Sequence, residues 1–99
     1  MAYLICYDIT SNRKRAKVAG LLKRAGCVRI QKSVFVGDLY KNSLSSLQKD
    51  LQQLLQKRPA PNDNLFFLKV HRDAFLHLTQ FGRNFDPRLV LGREKVLIL

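Results

Sequence analysis

A chain of 99 residues has room for one domain and not two, since a second core would need about 50 residues of its own. Hydrophobic residues make up 46% and charged residues 25%, which is ordinary globular composition and excludes global disorder. The apolar run near the start, residues 2–7, is far shorter than the roughly 20 residues a bilayer span requires. No basic stretch precedes it as in a secretion signal, so the expectation is a cytosolic protein with no membrane partner.

Eighteen Lys and Arg stand against seven Asp and Glu, a formal net charge of +11. Such an excess favours polyanionic partners: nucleic acid first, an anionic membrane surface second, RNA-rich assemblies third. Cys6 and Cys27 make neither a disulfide framework nor a zinc site, and among apolar neighbours they read as small buried hydrophobes.

Residues 2–9 are almost continuously apolar, aromatic or β-branched, as in a central strand covered on both faces. Thr10, Ser11 and Asn12 offer helix caps, and the spacing of Val18, Leu21, Leu22 and Ala25 predicts a helix over 13–25 with one apolar stripe. Gly26 ends it. Residues 28–39 are too long and varied for one straight strand. A bend near Lys32 and Ser33 divides them into strands of about 28–31 and 34–39.

Leu44, Leu47, Leu51 and Leu54 predict a second helix over about 43–57, capped by Asn42 or Ser43 and closed by Pro59 and Pro61. Residues 64–70 form another strand. The order β-α-β-β-α-β within 70 residues is that of an α+β, ferredoxin-like domain, an antiparallel four-stranded sheet with both helices on one face.

The remaining segment, 71–99, reads as an extension of this core: a short helix over 73–81, a turn over 84–88, and an apolar end at Val96-Leu97-Ile98-Leu99. A terminal strand so apolar needs a sheet edge. We expect it to be exchanged between the two chains of a homodimer, the alternative being a fifth strand folded back on its own sheet.

No acidic residue lies between Asp8 and Asp38, while Arg13, Lys14, Arg15, Lys17, Lys23, Arg24, Arg29 and Lys32 do. No acid balances the basic residues of the first helix at i,i+4 spacing, and a dimer would carry +22, twice the charge of one chain. Phosphate backbone fits such a surface better than a small anion does. Zinc fingers, a helix-turn-helix and an aromatic base-stacking pattern are all missing, and Phe66 and Phe67 read as core. Binding is therefore expected to follow backbone and shape.

Asp8 is out of place after Leu4-Ile5-Cys6-Tyr7, because Asp is depleted in strands and its charge is costly to bury. It is either a cap at the strand end or a ligand for a divalent metal. Mg²⁺ often takes only one or two carboxylates and keeps water and phosphate oxygens otherwise. Two Asp8 side chains meeting across a dimer axis would meet that need. His71 and His77, six residues apart and without an acidic or cysteine cluster, are poor metal ligands.

Leu4-Ile5-Cys6-Tyr7-Asp8-Ile9, the basic helix with Arg15, and Arg29-Ile30-Gln31-Lys32-Ser33-Val34-Phe35-Val36-Gly37-Asp38-Leu39 together resemble the CRISPR-associated protein 2 family, over about residues 1–70. The resemblance implies a homodimeric subunit of CRISPR adaptation (spacer acquisition). It also implies Mg²⁺- or Mn²⁺-dependent endonuclease activity on single-stranded RNA or double-stranded DNA.

By the same resemblance Asp8 is the metal ligand, and Tyr7, Ser33 and Phe35 join it at the catalytic site. Arg15 and Arg29 become phosphate contacts, alongside Arg13, Lys14, Lys17 and Lys32. The partners implied are a protospacer DNA duplex, RNA in the nuclease reading, and the integrase, CRISPR-associated protein 1, which the dimer bridges. Lys32 stands where many members carry an aromatic residue. The alternative of the same fold is a toxin-type ribonuclease acting on messenger RNA.

Overall fold

The computed structural model describes residues 2–91. Four strands and two long helices follow in the expected order: β1 (Ala2–Asp8), α1 (Asn12–Arg24), β2 (Val28–Gln31), β3 (Val34–Asp38), α2 (Lys41–Gln56) and β4 (Asn64–Val70). Two short helices, α3 (Arg72–Leu76) and α4 (Pro87–Val90), complete the described chain. The sheet order is β2-β3-β1-β4, and every neighbouring pair is antiparallel. This is the ferredoxin-like arrangement, with β2 and β4 at the edges among the described residues.

The period-2 pleat of β1 divides the protein. Tyr3, Ile5 and Tyr7 face α1 and α2, where Val18, Ala19, Leu22, Leu47 and Leu51 close a core together with Ile9, Cys27, Phe35 and Leu39. Ala2, Leu4, Cys6 and Asp8 face the opposite way. Their cross-strand partners on β4 are Val70, Leu68, Phe66 and Asn64. Half of this second face is covered by the chain's own continuation, since Phe75, Leu91, Leu78 and Phe85 pack with Ala2, Leu4 and Val36.

Local chemistry sets most element ends. Ser11 caps α1, its hydroxyl accepting from the Lys14 N–H at 3.2 Å. The helix ends before Gly26, which takes φ of 90°, a left-handed conformation with no Cβ penalty for glycine. The bend at Lys32–Ser33 appears as a two-residue turn between β2 and β3. β2 also carries a bulge between Arg29 and Gln31. Gly37 passes so close to Cys27 that a Cβ there would lie 2.5 Å from the Cys27 sulfur.

Four expectations are revised. α2 begins at Lys41 rather than 43, with Tyr40 at the cap and no side-chain bond to it. The helix expected over 73–81 is the single short stretch α3. The turn expected around Asp86-Pro87 opens α4, with the Asp86 carboxylate accepting from the Arg88 N–H at 3.0 Å. Phe66 is not core in the single chain but 49% exposed. The apolar end at 96–99, and with it the exchanged strand, lies outside the described residues.

Candidate nucleic-acid interface

One end of the sheet gathers most of the residues singled out above. β1 ends at Asp8, β4 begins opposite it at Asn64, and the Lys32–Ser33 turn arrives beside them, the Ser33 carbonyl accepting from the Tyr7 N–H at 3.1 Å. The first turns of α1, with Arg13, Lys14, Arg15 and Lys17, stand at the same end, because only Ile9, Thr10 and Ser11 separate the helix from β1.

The two faces sort the candidate catalytic residues apart. Asp8 is exposed on the face away from the helices. Tyr7 and Phe35 are buried on the helix side, 6% and 0% exposed, with rings stacked at 6.2 Å between centroids. Their packing role is therefore plain. Neither shares a face with the Asp8 carboxylate. Ser33 is half-buried in the turn. Arg29 also lies on the helix side of β2, its guanidinium carbon 5.1 Å from the centre of the Phe35 ring, a cation–π contact that leaves the side chain largely in solvent.

The cations of α1 divide as well. Arg15 is tied back to the strand end, donating to the Ile9 carbonyl at 3.3 Å and to the Asn12 side chain. This fixes a guanidinium one residue beyond Asp8. Lys14 is drawn inward: its ammonium donates to the Arg58 carbonyl at 3.0 Å and pairs with Asp63 at 3.7 Å. Arg13, Lys17 and Lys32 are exposed, without an ion pair among the described residues.

Asp63 is the residue that sequence reasoning missed. Its carboxylate accepts from the Thr10 N–H at 3.0 Å while pairing with Lys14, so it clamps the start of α1 to the loop before β4. The antiparallel register held the signal: if Asp8 faces Asn64, residue 63 must lie beside the turn into α1. Lys57 and Arg58 were missed too. With Arg13, Lys14, Lys17 and Asp63 they line a cleft of about 550 Å³ between α1 and the α2–β4 loop.

The Asp8 carboxylate offers hard oxygens, which suit Mg²⁺ or Mn²⁺. Among the described residues, no group of three His, Cys, Asp or Glu could hold a metal. On this face the described residues of one chain supply the Asp8 carboxylate, which suits a hydrated ion, and a second Asp8 would complete a pair of carboxylates for it. No helix of the described residues is long and apolar enough to cross a membrane.

Comparison with known proteins agrees with this geometry. The family model for CRISPR associated protein Cas2 matches residues 1–77. A CRISPR-associated endoribonuclease Cas2 of Synechocystis is 44% identical, with 97% of each chain covered. One from Korarchaeum cryptofilum is 35% identical, over 81% of this chain and 83% of that one.

A shorter match, 51% identical over 39 residues and 15% of the longer protein, is to a Cas1/Cas2 endonuclease fusion of Thermoproteus tenax. Among solved structures, a hypothetical protein of Thermus thermophilus superposes with a TM-score of 0.62 at 33% identity, covering 71% of this chain and 80% of that one. Streptococcus pyogenes Cas2 superposes with a TM-score of 0.65 at 19% identity, covering 83% of this chain and all of the other. The basic, ferredoxin-like chain with a lone carboxylate at the end of its first strand belongs to the CRISPR-associated protein Cas2 family, whose curated relatives are named endoribonucleases.

Proposed function

We propose that the chain works as a homodimer that holds nucleic acid during spacer acquisition, in association with the Cas1 integrase. The observation that carries this reading is the half of the second sheet face that the described residues leave uncovered. Phe66 and Leu68, 49% and 50% exposed, stand with half-buried Cys6 beside the exposed Asp8. An apolar patch on a sheet face is expected to be covered. A second copy, docked through the same patch, would bury it, and a two-fold axis passing beside the end of β1 would bring two Asp8 carboxylates together.

Such a dimer carries +22, twice the charge of each chain. Arg13, Arg15, Lys17 and Lys32 then lie around the paired strand ends, where they bind backbone phosphates as point charges or, for the two Arg, through two parallel hydrogen bonds. Lys14 supports this surface from beneath. Association with the integrase is supported by the existence of a Cas1/Cas2 fusion among the relatives. The family match favours this reading over a toxin-type ribonuclease.

Nuclease activity, in this reading, belongs to the dimer and not to one chain. A Mg²⁺ or Mn²⁺ ion held by two Asp8 would supply Lewis acidity and lower the pKa of water. The chain's own residues bind and orient: Arg15 at the end of β1 steadies phosphate charge, and Ser33 and Lys32 shape the approach. Among the described residues neither His71 nor His77 stands at this sheet end, since both belong to the segment around α3.

The test joins oligomeric state to binding. Phe66→Glu with Leu68→Glu should turn the dimer into a monomer by sedimentation and weaken duplex binding at least tenfold. Asp8→Ala should remove any cleavage while leaving duplex affinity unchanged. A duplex contacting about six phosphates should give a log–log salt slope near −5. A monomeric wild-type chain, or a slope near zero, would sink the reading.

A further inference from the structure

The cleft between α1 and the α2–β4 loop does not open on the Asp8 face. It lies on the helical side and continues into a second groove that shares Arg13, Lys17, Leu54 and Lys57 with it. Together they make one groove, running from Arg58 at one end to Arg24 at the other.

We infer that this groove binds the unpaired nucleotides of a single strand, with one nucleotide seated in the deeper cleft at Lys57 and Arg58. The proposal rests on the reading that nucleic acid is the partner, but it names a second site, on the helix side of the sheet, that shares Arg13 and Lys17 with the duplex surface and adds Lys57, Arg58 and Arg24.

The charge pattern points to phosphates in a row. Arg13, Lys17 and Arg24 fall on one stripe of α1 by the 3.6-residue period, and Arg13 to Arg24 spans about 16 Å at 1.5 Å per residue. All three are exposed, as are Lys57 and Arg58. None of the five makes an ion pair among the described residues. The carboxylate in the cleft, Asp63, is already neutralised by Lys14. The first turn of α1 holds no acid, so the positive end of the helix dipole adds to the field.

The floor points to bases. Leu54, Leu21 and Ala60 are partly buried beneath the cations, and about 550 Å³ is within the range of small-ligand sites. In a duplex the bases are stacked inward, so duplex DNA would meet the cations and leave this floor uncovered. An unpaired nucleotide presents both a phosphate and a planar, weakly polar base. Arg58 marks the cleft as a built feature. It holds φ of 50°, which costs a non-glycine residue about 1 kcal/mol, and the Lys14 ammonium grips its carbonyl there.

Arg58→Gly tests the inference without disturbing the fold, because glycine adopts φ near 50° freely and the carbonyl that Lys14 holds remains. The probes are a fluorescein-labelled ten-residue oligothymidylate and a blunt duplex of the same length. Arg58→Gly, and separately Lys57→Gln, should weaken oligothymidylate binding by about fivefold or more while duplex affinity changes by less than about twofold. Equal losses on both probes, or no loss on the single strand, would overturn the groove. A wild-type chain that binds the duplex but not the strand overturns this inference alone; one that binds neither overturns the function proposed above as well. Free thymidine monophosphate is the last arm. Strand binding that survives millimolar nucleotide supports a strand site, and complete displacement would reassign the cleft to free nucleotides and overturn it.

Discussion

Lys14 and Asp63, 49 positions apart, form an ion pair at 3.7 Å with side chains only 11% and 8% exposed. The pair is knit into the backbone on both sides, since Asp63 accepts from Thr10 and Lys14 donates to the Arg58 carbonyl. It fastens the start of the basic helix to the loop that leads into β4.

Breaking this clamp on one side should cost more than breaking both. Asp63→Ala strands a covered ammonium and the Thr10 N–H, and should destabilise the fold by about 3 kcal/mol. Lys14→Met combined with Asp63→Ala should recover part of that loss. Urea unfolding of the two single variants and the double variant gives the coupling, and an additive result would show that the pair contributes nothing beyond its parts.

Gly37 and Cys27 occupy one another's space. Gly37→Ala places a methyl group 2.5 Å from the Cys27 sulfur in a buried setting, so it should destabilise by about 1–3 kcal/mol. Cys27→Ala in the same chain removes the sulfur and should restore most of the stability, as read by the thermal midpoint.

Burial pushes the Cys27 thiol up to about 11 from an ordinary 9.0. The unfolded chain therefore loses this proton first as pH rises. Stability from the protonated thiol is intact below pH 9 and declines between pH 9 and about 11, by about 2–3 kcal/mol at the upper end. Cys27→Ala should flatten that decline in urea titrations run across the window. Cys6, half-buried and also raised by burial, should be alkylated ahead of Cys27 at pH 8 in the Phe66→Glu, Leu68→Glu variant, where its face is left open.

Asp8→Asn should strengthen self-association when no divalent metal is present. Two carboxylates brought together across an axis repel, and the amide removes that repulsion while keeping the shape. Sedimentation in chelator should show a lower dimer dissociation constant for Asp8→Asn than for wild type. An unchanged constant would place the two carboxylates too far apart to share an ion.

Much of the fold was legible because its signals are local. The apolar run of β1, the 3-4 spacings of both helices, Gly26, and the paired prolines after α2 each act within a few residues. The Lys32–Ser33 turn and β4 were placed on the same grounds. Less legible were features decided by distant chain. α2 starts two residues early, at Lys41, with Tyr40 at the cap position and no side-chain cap bond to mark the start in the sequence. Phe66 looked like core because an apolar residue in a strand looks the same whether the face it stands on is covered or left open.

The candidate site was legible in part. Asp8 stood out by chemistry, and the structure leaves it exposed. Tyr7 and Phe35 came with the family resemblance, and the structure gives them a packing role behind the sheet. Lys14 looked like one basic residue among eight, because nothing local reveals that Asp63 neutralises it.

The alternation of Tyr7 and Asp8 limits how this protein can change over time. Adjacent residues of a strand point to opposite sides, so the loss or gain of one residue within β1 would drive the carboxylate into the core and push an aromatic ring into water. Lineages can therefore vary the loops at either end of this strand, but its length upstream of the acid is locked, and the acid can be replaced far more readily than it can be moved.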